Sequence, residues 1–209
     1  WDFVLYAVGS VVILAILQFT ADRFLSADRS MIHYSPSRMG SGAFLDCVAM
    51  IAEIGGIYAF IHYAVQAKQM SEWSLLWNGV GYWVLLDAFA HIALNPSLVN
   101  LSVVGDVRAG DEALGILSFF AKAIVRLVPF MFGVGIIVGD LFLAWANVPL
   151  IRDVSYYEGF RAFQLLCVCA CLPLASYLLF AFYHLILDLL WALLVIPRKL
   201  DGLKSDKKN

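Results

Sequence analysis

The chain has 209 residues, 62% of them hydrophobic and 14% charged, with a formal net charge of −2 and a mean hydropathy of +0.83. Soluble domains run nearer half apolar and a quarter charged, so a water-soluble fold is excluded, and the slightly acidic balance excludes the basic surface that a nucleic-acid partner calls for. The reading that remains is an all-α, polytopic transmembrane helical bundle with the lipid bilayer as its solvent: about five crossings and one interfacial amphipathic helix.

Residues 3–20 form the first predicted crossing, ended by Asp22 and Arg23. The polar stretch 26–41 contains Arg29, Pro36, Arg38 and Gly40 and is expected to be a loop. The second crossing is 43–65, closed by Gln66, Lys68 and Gln69. The third is 73–94, closed by Asn95-Pro96, because proline disfavours helix in the residue before it. A connector, 98–112, carries Asp106, Arg108, Gly110 and Asp111, the last a predicted N-cap.

The apolar stretch 113–147 is too long for one untilted crossing and contains Lys122, Arg126 and Pro129. It divides into an amphipathic helix, 112–126, lying in the interface with Lys122 and Arg126 one turn apart, and a fourth crossing, 127–147. A polar loop, 149–159, precedes the last apolar stretch, 160–196, interrupted only by Pro173. At about 1.5 Å per residue this stretch is roughly twice as long as the hydrocarbon is thick. One proline-kinked helix, a crossing followed by an interfacial helix, and a hairpin are all open; the first two are favoured because no polar or glycine-rich turn marks a hairpin.

Orientation follows from arginine and lysine, which concentrate on the cytoplasmic side. Arg23, Arg29 and Arg38, then Arg108, Lys122 and Arg126, then Arg198, Lys199, Lys204, Lys207 and Lys208 share one side; Lys68, Arg152 and Arg161 share the other. The amino end is therefore expected outside and the carboxyl end in the cytoplasm of an inner membrane, with 1–198 the transmembrane domain and 199–209 a basic cytoplasmic tail. Trp1, Trp73, Trp77, Trp145, Tyr156, Tyr157 and Trp191 fall near predicted crossing ends, where amphipathic rings favour the headgroup level. The chain opens on Trp1 rather than an initiator methionine, which leaves room for residues in front of it.

Ionisable groups inside crossings are costly, and each is a functional hypothesis in search of a partner. Counted from the cytoplasmic ends, Glu53 lies about 15 Å deep and Asp87 about 12 Å, so they can meet at one level, with Asp46 and His91 shallower. Asp87 and His91, like His184 and Asp188, are spaced i, i+4 and share a helix face. With the last helix packed beside them, Glu53, Asp87, His91, His184 and Asp188 would supply oxygen and nitrogen donors for a divalent transition metal. With Asp46 they could instead pass protons, since histidine titrates near neutrality. The bland reading is that each carboxylate–histidine pair satisfies itself. Haem is less favoured, because it needs two histidines at matched depth and His62 has none.

Cys47, Cys167, Cys169 and Cys171 lie in apolar helical stretches and read as packing residues. Gly135 and Gly139 form a small-xxx-small pair that lets a neighbouring helix approach, as do Gly55 and Gly56. The run Ile137-Val138-Gly139-Asp140 departs from the glycine-x-glycine-aspartate signature of intramembrane aspartyl proteases in lacking its first glycine. Gly42 and Asp46 fit the spacing of phosphatidyltransferases, but Met50 stands where their next aspartate belongs. Neither activity is adopted, and an enzyme is not the favoured class. The functional expectation is a non-catalytic multi-pass subunit, an assembly or scaffold component of a larger membrane complex of secretion or transport type, partnered by other membrane subunits or by copies of itself. The alternative is an ion- or proton-translocating, or metal- or haem-binding redox, membrane protein built on the carboxylate–histidine cluster.

Overall fold

The structure, a computed structural model, describes residues 2–146 and 156–206. Trp1 and most of the predicted loop 149–159 lie outside the described residues, as do the side chains of Asp140, Trp145, Tyr156 and Tyr157. The elements in chain order are α1 (Asp2–Tyr34), β1 (Ser37–Met39), α2 (Gly42–Met70), α3 (Ser74–Leu94), a 3-10 turn (Pro96–Val99), β2 (Leu101–Val103), α4 (Ala109–Ala146) and α5 (Tyr156–Asp206). Three of the helices, over Gly42–Met70, Ala109–Gly139 and Leu166–Ala192, are long and apolar enough to cross a membrane. The fold is therefore that of an all-α integral membrane protein.

Four boundaries differ from the sequence expectation. Helix α1 does not stop at Asp22 but runs through most of the supposed loop to Tyr34. No proline or glycine interrupts residues 21–34, and Ala21, Leu25, Asp28 and Ile32 are all buried, a helical stripe that continues past the apolar segment. Helix α4 starts at Ala109, so Asp111 is not its N-cap but sits with Glu112 in its first turn, where carboxylates complement the helix dipole. The same helix is continuous across the proposed break between 112–126 and 127–147, with Pro129 inside it. A proline removes one backbone donor without ending a helix whose flanks are packed, and Val125, Leu127, Val128 and Phe132 around it are buried. Helix α5 is likewise a single element of 51 residues. That settles the ambiguity of 160–196 in favour of one helix and overturns the hairpin.

The described chain falls into two compact units. The first comprises residues up to Met31 and Val128–Ala181. Its helices pack closely through small residues: a side chain on Gly135 would run into Cys169, and one on Gly139 into Leu166. Cys169 is buried there, whereas Cys167 and Cys171 are exposed, so the packing expected of the whole cysteine run holds for its central member. Phe24 of α1 meets Tyr177 of α5 with ring centroids 5.7 Å apart.

The second unit comprises Ile32–Leu127 and the chain from Phe182. Its largest feature is the α2–α3 hairpin, reversed at Ser71, whose left-handed backbone (φ 54°) lets its N–H bond the Ala67 carbonyl. Gly56 admits Trp83 and Leu86 against α2, and Gly79 admits Phe60 and Tyr63 against α3, so the small residues bring the two backbones together. Missing from the all-helical expectation are the two short strands, which pair in parallel with Ser37 opposite Leu101 and Met39 opposite Val103. Asn100 makes the pairing possible: it takes a left-handed conformation (φ 50°), which asparagine tolerates better than most residues. Its side-chain amide donates to the carbonyls of Ile32 at 3.2 Å and His33 at 2.7 Å, closing the end of α1. The core of this unit joins Met39, Leu45, Ala49, Ala52, Ala90, Ala93, Val99, Leu101, Phe119 and Ala123.

Candidate functional site

Glu53 on α2 and Asp87 on α3 come within electrostatic reach of each other across the hairpin. The pair is not sheltered: Glu53 is half-buried and Asp87 exposed. Met50, Ile54, Ile57, Trp83 and Val84, large apolar residues of the same two helices, are exposed as well.

The other predicted ligands are placed elsewhere. His91 is exposed at the end of α3, where the Asn95 amide donates to its backbone carbonyl at 2.8 Å and lies 3.5 Å from its ring Nδ1. Asp46 is exposed on the first turns of α2. His184 is half-buried on α5, within electrostatic reach of Lys122 and of Asp188, its i+4 neighbour. His62 stacks on Tyr58 with centroids 6.0 Å apart, and its Nε2 lies 3.1 Å from the Gln66 amide. Among the described residues no group of three or more His, Cys, Asp or Glu side chains is placed to hold a metal ion.

A second polar centre, assigned by sequence only to topology, surrounds Lys122. The first turns of α4 lie against β1 so closely that a β-carbon on Gly115 would overlap the Arg38 carbonyl oxygen. One turn earlier the Glu112 carboxylate accepts from the Gly40 N–H. Ser118 and Lys122 continue the same face at i+3 and i+7 from Gly115. Ser118 Oγ donates to Ser37 Oγ at 3.0 Å, and Lys122 Nζ donates to Ser37 Oγ at 2.6 Å and to the Ser35 carbonyl oxygen. The lysine is 0% exposed. Tyr183 of α5 lies within electrostatic reach of Ser118. No carboxylate bonds Lys122 among the described residues. The sequence signal that could have found this centre is the i, i+4 pair Ser118 and Lys122 beside Gly115.

A third group belongs to the first unit. Asp28, on the extension of α1 beyond the predicted first crossing, is buried and accepts a hydrogen bond from Ser176 Oγ at 2.7 Å. Its Oδ1 has no hydrogen-bond partner among the described residues. Burial pushes its carboxyl group above the usual carboxylate range, and the Ser176 bond partly opposes this.

In comparison with known proteins, no family model matches the chain, nor does any curated protein or solved structure. The chemistry of these three centres therefore rests on their own geometry.

Proposed function

We propose that this chain is a multi-pass subunit of a larger membrane complex of secretion or transport type, where it serves assembly or acts as a scaffold. The observation that carries the reading is the Glu53–Asp87 pair on the open side of the α2–α3 hairpin, among exposed apolar side chains. Acidic groups facing hydrocarbon are expensive and in membrane proteins face a bundle interior or a partner. A second protein seated on this face removes the cost; lipid tails do not. In this reading all five helices cross, about five times in total, with the amino end outside and the basic carboxyl end in the cytoplasm, as the distribution of arginine and lysine requires.

The test is a photoreactive residue at Ile57, one turn from Glu53 on the exposed face. Crosslinks to another membrane protein or to a second copy of the chain are the expected result. Adducts with lipid alone would count against the subunit reading.

The nearness of the two carboxyl groups also favours a second reading, that of an ion- or proton-translocating membrane protein, because acidic groups inside a membrane mark ion and proton paths. In that case reconstituted vesicles would show a proton or cation flux that Asp87→Asn abolishes. The metal- and haem-binding variants of this reading predict stoichiometric metal or haem in the purified protein.

A further inference from the structure

Lys122, Ser37 and Ser118 are bonded in a chain: Nζ lies 2.6 Å from Ser37 Oγ, and Ser118 Oγ lies 3.0 Å from the same oxygen. The three differ in access. Lys122 and Ser118 are buried, whereas Ser37, on the strand, is half-buried. Nζ is anchored from behind by the Ser35 carbonyl, which fixes its direction toward Ser37. A seryl hydroxyl is a weak nucleophile until a base within hydrogen-bond reach takes its proton, and lysine serves as that base in serine–lysine sites on unrelated folds. Around the strand pair that carries Ser37, the apolar side chains of Tyr34, of Val103 opposite Met39 and of Val104 are exposed, next to the polar Arg38 and Ser102.

We propose that Ser37, Lys122 and Ser118 form an acyl-transfer site that hydrolyses carboxylic esters with an apolar acyl chain, Ser37 acting as nucleophile and Lys122 as its base. The proposal goes beyond the subunit reading and does not depend on it. With Nζ uncharged, the Ser37 hydroxyl turns to donate to it. As Oγ bonds the ester carbonyl carbon, the hydroxyl proton passes to Nζ, and Ser118, freed from Ser37, donates to the developing oxyanion. The intermediate collapses, the bond from carbon to the alkoxy oxygen breaks, and Nζ returns the proton to the departing alcohol. Water then attacks the acyl-serine while Nζ takes its proton. The carboxylic acid leaves, Nζ returns the proton to Ser37, and the hydroxyl is restored.

The experiment treats the full chain, in detergent, with a long-alkyl fluorophosphonate, which transfers its phosphonyl group to an activated serine with loss of fluoride, and locates the adduct by mass spectrometry. Phosphonylation of Ser37 is expected, faster than with the ethyl analogue, and about 100-fold or more slower in Lys122→Met. Lys122→Arg, which keeps a donor for the Ser35 carbonyl but cannot act as a base, should lose labelling in the same way and serves if Lys122→Met does not fold. Ser41→Ala, at an exposed serine whose side chain makes no cap hydrogen bond, should label like the wild type. The proposal is overturned if folded wild-type protein gains no adduct on Ser37 while a serine hydrolase in the same tube is labelled, or if Lys122→Arg labels at the wild-type rate. Equal rates with the long-alkyl and ethyl probes would overturn the apolar acyl preference.

Discussion

Two polar centres of the same unit solve the problem of charge in an apolar chain in opposite ways. Lys122 is enclosed, and its own chain answers it: the carbonyl of Ser35, just past α1, and a hydroxyl from β1 accept its hydrogen bonds. Glu53 and Asp87 are more open, the first half-buried and the second exposed, and each lies within electrostatic reach of the other. An enclosed group that the chain satisfies contributes to holding the fold together, whereas an open one at membrane depth contributes little to the isolated chain and much to whatever sits on it. The difference assigns the two centres different work.

Substitution can break that assignment. The largest effect is expected from Lys122→Ala, which takes the Lys122 donor from the Ser35 carbonyl, leaves Ser37 Oγ to Ser118 alone and opens space beside Ser118; a loss of about 3 kcal/mol follows from typical costs of lost hydrogen bonds and cavities. Gly115→Val acts on the same contact from the other side, by forcing α4 off the Arg38 carbonyl, and should cost about 2 kcal/mol. Both are read as lower melting midpoints of the chain in detergent.

Asp28→Asn tests burial in the first unit through pH. A carboxyl group whose folded pKa is raised binds its proton more tightly folded than unfolded, so stability is lost as pH rises from the unfolded value near 4 through the folded one. The asparagine variant should therefore match the wild type in acid, exceed it modestly at neutral pH, and lose that part of the pH dependence. The smallest effect on the isolated chain belongs to the open pair: Glu53→Gln with Asp87→Asn should leave its melting midpoint unchanged. A drop comparable to that of Lys122→Ala would erase the contrast between the two centres.

The sequence carried the coarse architecture well where apolar runs end in strong punctuation. Helix α3 stops at Leu94 because Asn95-Pro96 stops it, and α2 ends past Gln66 and Lys68 within a turn of the polar cluster. It failed where polarity was read as loop: Asp22, Arg23, Ser26 and Arg29 are compatible with helix, and Ala21, Leu25, Asp28 and Ile32 bury the face that keeps α1 wound. Strands of three residues are below what any periodicity can reveal. In the candidate sites, matched depth was enough to pair Glu53 with Asp87 across one hairpin. Lys122 was read as an interfacial cation because lysine on a helix face near a membrane usually is one. Its burial depends on Ser35 and Ser37, residues distant in sequence that only the strand pairing and Gly115 bring against α4.

The most direct test of the central claim is the mass and composition of the particle released by gentle detergent extraction, for the wild type and for the Glu53→Gln, Asp87→Asn double variant. The account predicts that the wild type is carried in an assembly larger than one chain and that the variant is released from it as a folded single chain. A wild type that elutes alone, folded and without copies of itself or other proteins, would contradict it.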